Sequence, residues 1–382
     1  MRILYILIVL SLFSCKNENR ESINKSIKFA DLQVKIDSLY NSHFDESSPG
    51  AALLILYDNQ KIVNKGYGMR NLETNAPITP STNMRSASMA KQFTCLGLLN
   101  LMEQGKLAQT DMVYKYFPYP IFKNVTIEQF ISHTSGIEDA EWVLDSKQTS
   151  TTGNFNNEDI LDWYANNNVT RFPPGTAFEY NNGTYYTLAQ IIEQESGMRY
   201  EDYIQKNVFR KSGMKNTKFI TDGGSSAIDE YAYRYEKDSL GHWQLLDINF
   251  EDDVVGAGGI YLSLNDYANY IEALRNKSIV NAKSHELIFK PISMNTELHS
   301  QDLKILTGKE SSYAMGWEVT DSLALSAGQW DAVNNFVIFE RKRPLTIVML
   351  ANNDDFFKNR LVDKTYSIVN DYFNKAANNV YN

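Results

Sequence analysis

Ser88 and Lys91 stand three positions apart at the head of an apolar run that continues through Leu96, Leu99, Leu101 and Met102. On a helix that spacing puts a hydroxyl and an amine on one face, about one turn from each other. A serine at a helix N-terminus is surrounded by backbone N–H groups and the positive end of the dipole, which suits an oxygen that must become an anion. The same dipole repels a lysine cation in the first turn, and partial burial also favours the neutral amine, which can then take the serine proton. Ser-x-x-Lys alone is a weak pattern and recurs at Ser22 with Lys25 and at Ser212 with Lys215, where solvated surface pairs are the plain reading. Only the middle pair opens a long apolar helix, and Gly105 is placed to end it.

Two further pieces carry chemistry. Tyr180-Asn181-Asn182 follows a Pro-Gly turn and precedes a helix. A phenol relays protons when an ammonium lies nearby, and an asparagine amide holds both a lysine and a substrate carbonyl. Ser326-Ala327-Gly328-Gln329 is expected at the end of a strand. Glycine there lets a substrate lie along the strand edge, and the next N–H can complete an oxyanion hole with that of Ser88.

Other chemistries lack their residues. The five histidines, 43, 133, 242, 285 and 299, form no His-x-x-x-His pair, and there is no Cys-x-x-Cys, Gly-x-Ser-x-Gly or Gly-rich loop followed by Lys-Ser/Thr. No metal and no organic cofactor is implied. A net charge of −9 without a basic run argues against nucleic acid as a partner. The 382 residues suffice for one large domain or two small ones.

The elements that must position these residues follow from periodicity. Residues 27–43 have helical spacing. Ala51 to Tyr57 and Gln60 to Tyr67 make a hairpin through Asp58-Asn59, and 71–87 is a loop delivering the chain to Ser88. From about 110 to 250 short helices and polar loops dominate, with a capping-box pattern at Thr126 to Gln129 and helices over 158–166, Leu188 to Gly197 and 200–209. Helices near 264–275 and 281–289 precede strand-like runs at Tyr313 to Val319, Leu323 to Ser326, Asn335 to Glu340 and Leu345 to Leu350. A last amphipathic helix covers 355–375. Strands near both ends imply one sheet built from both termini around a helical insertion.

At the N-terminus, Arg2, the eleven-residue run Ile3 to Phe13 and Cys15 have the layout of a secretory signal; a bilayer span needs about 20 residues. Leu12-Phe13-Ser14-Cys15 resembles a bacterial lipobox, so residues 1–15 are expected to be a signal, Cys15 a lipidated membrane anchor and 16–26 a flexible tether. The protein would then be exported and lipid-anchored in the cell envelope, on the periplasmic side or in the outer membrane. Cys95 would remain as a small core residue.

Taken in order, these pieces resemble the serine β-lactamase and penicillin-binding protein superfamily, in particular its class C-like branch. Gly66-Tyr67-Gly68, Gln104-Gly105-Lys106-Leu107, His133-Thr134-Ser135-Gly136, Phe172-Pro173-Pro174-Gly175 and Gly256-Ala257-Gly258-Gly259 share the likeness, which runs from about 28 to 375. The resemblance implies an α+β fold: an antiparallel sheet, from 27–108 and 255–382, flanked by helices, with an all-helical region at 109–254. It implies Ser88 as acylated nucleophile, Lys91 and Tyr180 sharing base and acid duty, and Asn182, Ser326, Gly328 and Gln329 at the substrate. It implies a small-molecule or peptidoglycan-type peptide, amide or ester as substrate. Gly136, Gly175 and Gly258 are read as turn formers and His133 as a loop brace. Ser326 departs from the usual Lys or His at that place, and Arg341, Lys342 and Arg343 lie at a far hairpin tip. The alternative is a catalytically weak or inactive envelope binding protein on the same fold.

Overall fold

The computed structural model describes residues 29–145, 155–222, 227–246, 254–292 and 310–378. The signal, the tether, Cys15 and the Ser22–Lys25 pair therefore lie outside the described residues. The chain forms two compact units, 44–363 and the described flanks 29–43 with 364–378. In the smaller unit, helix α1 (Ala30–Asn41) buries Leu32, Ile36 and Tyr40. Tyr40 hydrogen-bonds Thr365 at 3.1 Å, and Phe29 packs on Tyr372 and Phe373.

The larger unit is organised by a seven-stranded antiparallel sheet. Its strands are β1 (Ala51–Tyr57), β2 (Gln60–Tyr67), β3 (Ser312–Tyr313), β4 (Glu318–Val319), β5 (Leu323–Trp330), β6 (Val333–Glu340) and β7 (Leu345–Ala351), in the order β3-β4-β5-β6-β7-β1-β2. β1 joins the two ends of the chain, because Ala51 is opposite both Tyr67 and Ala351. Asp58 and Asn59 both take positive φ, the geometry of a primed two-residue turn. β6 and β7 are buried throughout and β1 nearly so, as strands are when both faces are covered. Helix α7 (Leu264–Arg275) packs on β1 and β7.

Helix α2 (Lys91–Glu103) is the central rod. It is buried continuously from Lys91 to Leu101, as an all-round apolar helix must be. Between α2 and β3 run α3 (Ile127–Ile131), α4 (Ala140–Asp145), α5 (Asn157–Asn166), α6 (Asn182–Ser196) and α7. α3 and α5 begin with capping boxes, at Thr126 and Gln129 and at Asn156 and Asp159.

Several elements differ from expectation. Tyr313 to Val319 is not one strand. β3 and β4 are separated by a turn in which Gly316 has φ +76°, and a Cβ there would stand 2.7 Å from Gln92 N. The last helix is broken: Asp355–Lys358 is followed by α8 (Leu361–Asn378), with Arg360 at φ +55° between them. In the glycine return, positive φ belongs to Gly256 and Gly259, not to Gly258. The helical region also holds short strands. Lys218–Phe219 pairs with Ile260–Leu262, which pairs with Met84–Arg85, and Tyr235–Lys237 pairs with Trp243–Leu245.

Candidate active site

The small sheet brings the chain to Ser88. Met84–Arg85 pairs with Ile260–Leu262, and Ser86 N–H donates to Ile260 O at 2.8 Å. Ala87 then takes φ +46°, and residues Ala87–Ala90 form a 3₁₀ turn before α2. Ser88 thus sits in this turn, not inside the α-helix itself, because a left-handed residue just before it stops α-helical bonding from extending further back. It is half-buried, while its neighbours on both sides are buried.

Lys91 converges on it. Its Nζ lies 3.1 Å from Ser88 Oγ, 2.6 Å from Asn182 Oδ1 and 3.3 Å from Ala257 O. The last two are acceptors only. A neutral amine satisfies them with its two protons and turns its lone pair to the serine hydroxyl, so this geometry accommodates proton transfer from Ser88. The Ala257 carbonyl reaches Lys91 because Gly256 allows close approach to α6: a Cβ there would stand 2.4 Å from Tyr185 O.

Asn182 is the first residue of α6. Asn181 caps that helix by accepting from Thr184 N–H at 3.0 Å. Asp139 adds a carboxylate at the same terminus, accepting from the N–H groups of Asn182 and Gly183, both at 2.9 Å. Asn182 Nδ2 donates to Glu141, whose other oxygen accepts from the Tyr186 hydroxyl.

Tyr180 completes the group. Its phenol lies beside the Ser88 side chain, and Lys91 Nζ is 4.7 Å from its ring centre. The residue as a whole is 37% exposed, while its hydroxyl is buried against Ser88. Burial there pushes the phenol well above its usual range, the neighbouring Ser88 hydroxyl draws it partly back, and the Glu141 and Asp139 carboxylates raise it further. Tyr180 therefore rests as a neutral phenol. His133 stacks on it at 4.4 Å and accepts from Asn181 N–H at Nδ1, 3.1 Å away. Burial and then the Lys91 charge hold His133 well below its ordinary value. A neutral, fully buried imidazole stacked on the phenol is a brace by geometry.

The third motif is placed differently from the reading above. Ser326 to Gln329 lies within β5, which runs on to Trp330. Ser326 is 4% exposed, and its hydroxyl donates to Gly316 O at 3.2 Å, so it offers no free donor to a substrate. Gly328 is where β5 crosses the serine turn: a Cβ would meet Ser86 O at 2.2 Å. Gln329 is exposed. β4 pairs only with Ala324 and Leu325, so among the described residues no strand covers the outer edge of 326–330. The guanidinium groups of Arg85 and Arg234 lie over the Trp330 ring, at 3.9 and 4.7 Å. Arg341 and Arg343 engage Thr320 O and Glu340, and Lys342 engages Asp321.

Asp139 and Glu141 were not singled out by the sequence. They fall in the acidic stretch Glu138 to Glu141, which looks like a solvated loop; the packing of α4 against α6 buries Glu141 and sets Asp139 at the start of α6.

The sequence profile of the family described as Beta-lactamase matches residues 36–368. The chain belongs to that family, within the serine β-lactamase and penicillin-binding protein superfamily. Among its relatives, penicillin-binding protein 4* of Bacillus subtilis (strain 168) is 27% identical over 315 residues, covering 77% of this chain and 66% of its own. The putative penicillin-binding protein PbpX of the same organism is 24% identical over 357 residues, covering 93% and 83%. The chain thus spans slightly less than two thirds of the first of these. In structure it is similar to D-amino acid amidase from Ochrobactrum anthropi SV3, with a TM-score of 0.73 at 19% identity, covering 90% of this chain and 99% of that one. It is also similar to the octameric penicillin-binding protein homologue from Pyrococcus abyssi, with a TM-score of 0.71 at 24% identity, covering 86% and 73%. These likenesses establish the mixed fold of antiparallel sheet and helices, and family membership supports serine hydrolase-type function.

Proposed function

We propose that this protein is a serine acyl-transfer hydrolase acting on a peptide, amide or ester in the cell envelope, with Ser88 as nucleophile. The observation that carries the reading is Lys91 Nζ at 3.1 Å from the Ser88 hydroxyl, with the Tyr180 ring 4.7 Å from the same amine. The Ser88 proton passes to neutral Lys91 as Oγ forms a bond to the substrate carbonyl carbon. The oxyanion is received by the N–H groups of Ser88 and Gln329. When the tetrahedral adduct collapses, the bond to the leaving amine or alkoxide breaks, and Tyr180 supplies its proton and is reprotonated from Lys91. Water then repeats the sequence on the acyl-serine. Because the resting phenol is neutral, Lys91 starts the first step and Tyr180 relays the second. Asn182 holds the lysine and borders the substrate position.

A fluorophosphonate or a fluorescent penicillin tests this on wild type and Ser88→Ala. Stoichiometric labelling that depends on Ser88, followed by turnover, supports the enzyme. The second reading, a binding protein with little turnover, is favoured by Ser326: the place that carries Lys or His in the resemblance is a buried hydroxyl spent on Gly316. Absence of Ser88-dependent labelling supports it. Anchoring through Cys15 is part of the proposal, and incorporation of a palmitate analogue, lost in Cys15→Ala, tests it.

A further inference from the structure

Behind Asn182 lies a carboxylate that the acylation steps do not use. Glu141, on α4, is 8% exposed. One of its oxygens accepts from Asn182 Nδ2 and the other from the Tyr186 hydroxyl. A carboxylate can only accept, so the amide is left with one orientation: nitrogen toward Glu141 and oxygen toward Lys91 Nζ, 2.6 Å away. Lys91 in turn meets Ser88 Oγ at 3.1 Å. The groups form one continuous hydrogen-bonded chain, from Tyr186 through Glu141, Asn182 and Lys91 to Ser88. The two ends of an asparagine amide are nearly equal in shape, so its partners alone decide which end faces the lysine. Turned over, the amide would set its N–H protons against those of Lys91 and withdraw the acceptor that aims the lysine.

We propose that Glu141 is a positioning residue for acyl transfer, locking the Asn182 amide so that Lys91 is aimed at Ser88. The inference rests on the reading of Ser88 as nucleophile. It also sets a pH dependence. The titratable groups facing Glu141 are Asp139 just ahead of α4, Lys91 on α2, Tyr164 on α5, Tyr186 on α6 and Tyr180 before it. Burial first, then the Asp139 charge, pushes the Glu141 carboxyl up to about 7. The anion, which accepts from both donors, is full only above that pH. Its charge also favours the Lys91 ammonium, so removing it lets the lysine lose its proton at lower pH.

The test is the second-order rate of fluorophosphonate labelling from pH 5 to 9 in wild type, Ser88→Ala, Glu141→Ala and Glu141→Gln, with melting curves as the check on folding. Glutamine still accepts from Asn182 Nδ2 but carries no charge. The expected result is Ser88-dependent labelling of wild type, slowed about a hundredfold in Glu141→Ala. Glu141→Gln should lose less than about tenfold, with its rising limb displaced to lower pH. If Glu141→Ala does not fold, the profile of Glu141→Gln decides alone. Labelling of wild type with Glu141→Ala equally fast, or with the limb of Glu141→Gln unmoved, overturns the inference and leaves the hydrolase reading standing. No Ser88-dependent labelling of wild type overturns both.

Discussion

Gly328 and Ser86 touch through their backbones: a side chain begun at position 328 would place its first carbon 2.2 Å from the Ser86 carbonyl oxygen, and 3.3 Å from Met89 N. The strand bearing the third motif and the turn bearing Ser88 are therefore pressed together with no room for a methyl group.

Gly328→Ala should push β5 off the serine turn. We expect acylation to fall at least about a hundredfold, since a displacement of roughly 1 Å at reacting groups has that effect. Overpacking of this kind should also cost about 1–3 kcal/mol of stability. Labelling rate and urea denaturation measure the two. An unchanged rate would show that β5 does not border the reaction.

Tyr180→Phe removes the phenol beside Ser88 and keeps the ring against His133. The reaction should slow by about a hundredfold or more, the usual contribution of a positioned proton donor. Ultraviolet difference titration of wild type against Tyr180→Phe should show no Tyr180 phenolate at pH 10.0, the ordinary tyrosine midpoint, because burial holds this phenol above it. A phenolate signal near neutrality would instead make Tyr180 the first base.

Where the resemblance calls for a cation, Ser326 brings none. Wild type should therefore prefer neutral acyl substrates to carboxylate-bearing ones such as β-lactams. A charge-assisted hydrogen bond contributes about 1.5–3 kcal/mol, so Ser326→His should raise kcat/KM for carboxylate substrates about tenfold or more below the histidine pKa. Efficient turnover of cephalosporins by wild type would contradict the idea.

Glu141 also links stability to pH. Its carboxyl is raised from 4.5 in the unfolded chain to about 7 in the folded protein. Below 4.5 it is protonated in both states. As pH rises from 4.5 to about 7, the unfolded state ionises first and the folded state must come to carry a buried charge, so stability is lost across that window and levels off above it. The loss is about 3 kcal/mol. Glu141→Gln cannot ionise, so its melting temperature should gain on that of wild type between pH 4.5 and 7. A constant difference across that range would place the carboxyl at an ordinary value.

Much of this was legible in the residues. Ser88, Lys91, Tyr180 and Asn182 could be picked out because each is a chemically specific type next to a turn or a helix start, and the apolar runs of β1, β6 and β7 announce a buried sheet. What could not be read depends on contacts distant in sequence. Glu141 is one acid among several until α6 closes over it. The Ser326 hydroxyl is spent on Gly316 because of a turn that the run from Tyr313 to Val319 conceals. Breaks at Ala87 and Arg360 are made by left-handed residues other than glycine, which nothing in their type advertises.

Ala87 has one last consequence. Its handedness is disfavoured by about 1–3 kcal/mol for a residue of its type, so the bend ahead of Ser88 is imposed from outside. The pairing of Met84–Arg85 with Ile260–Leu262 and the weight of Gly328 impose it. A peptide excised from 84 to 103 would relax into an ordinary spiral and lose its aim. Reactivity here belongs to the finished molecule and arrives only when the last strands have closed.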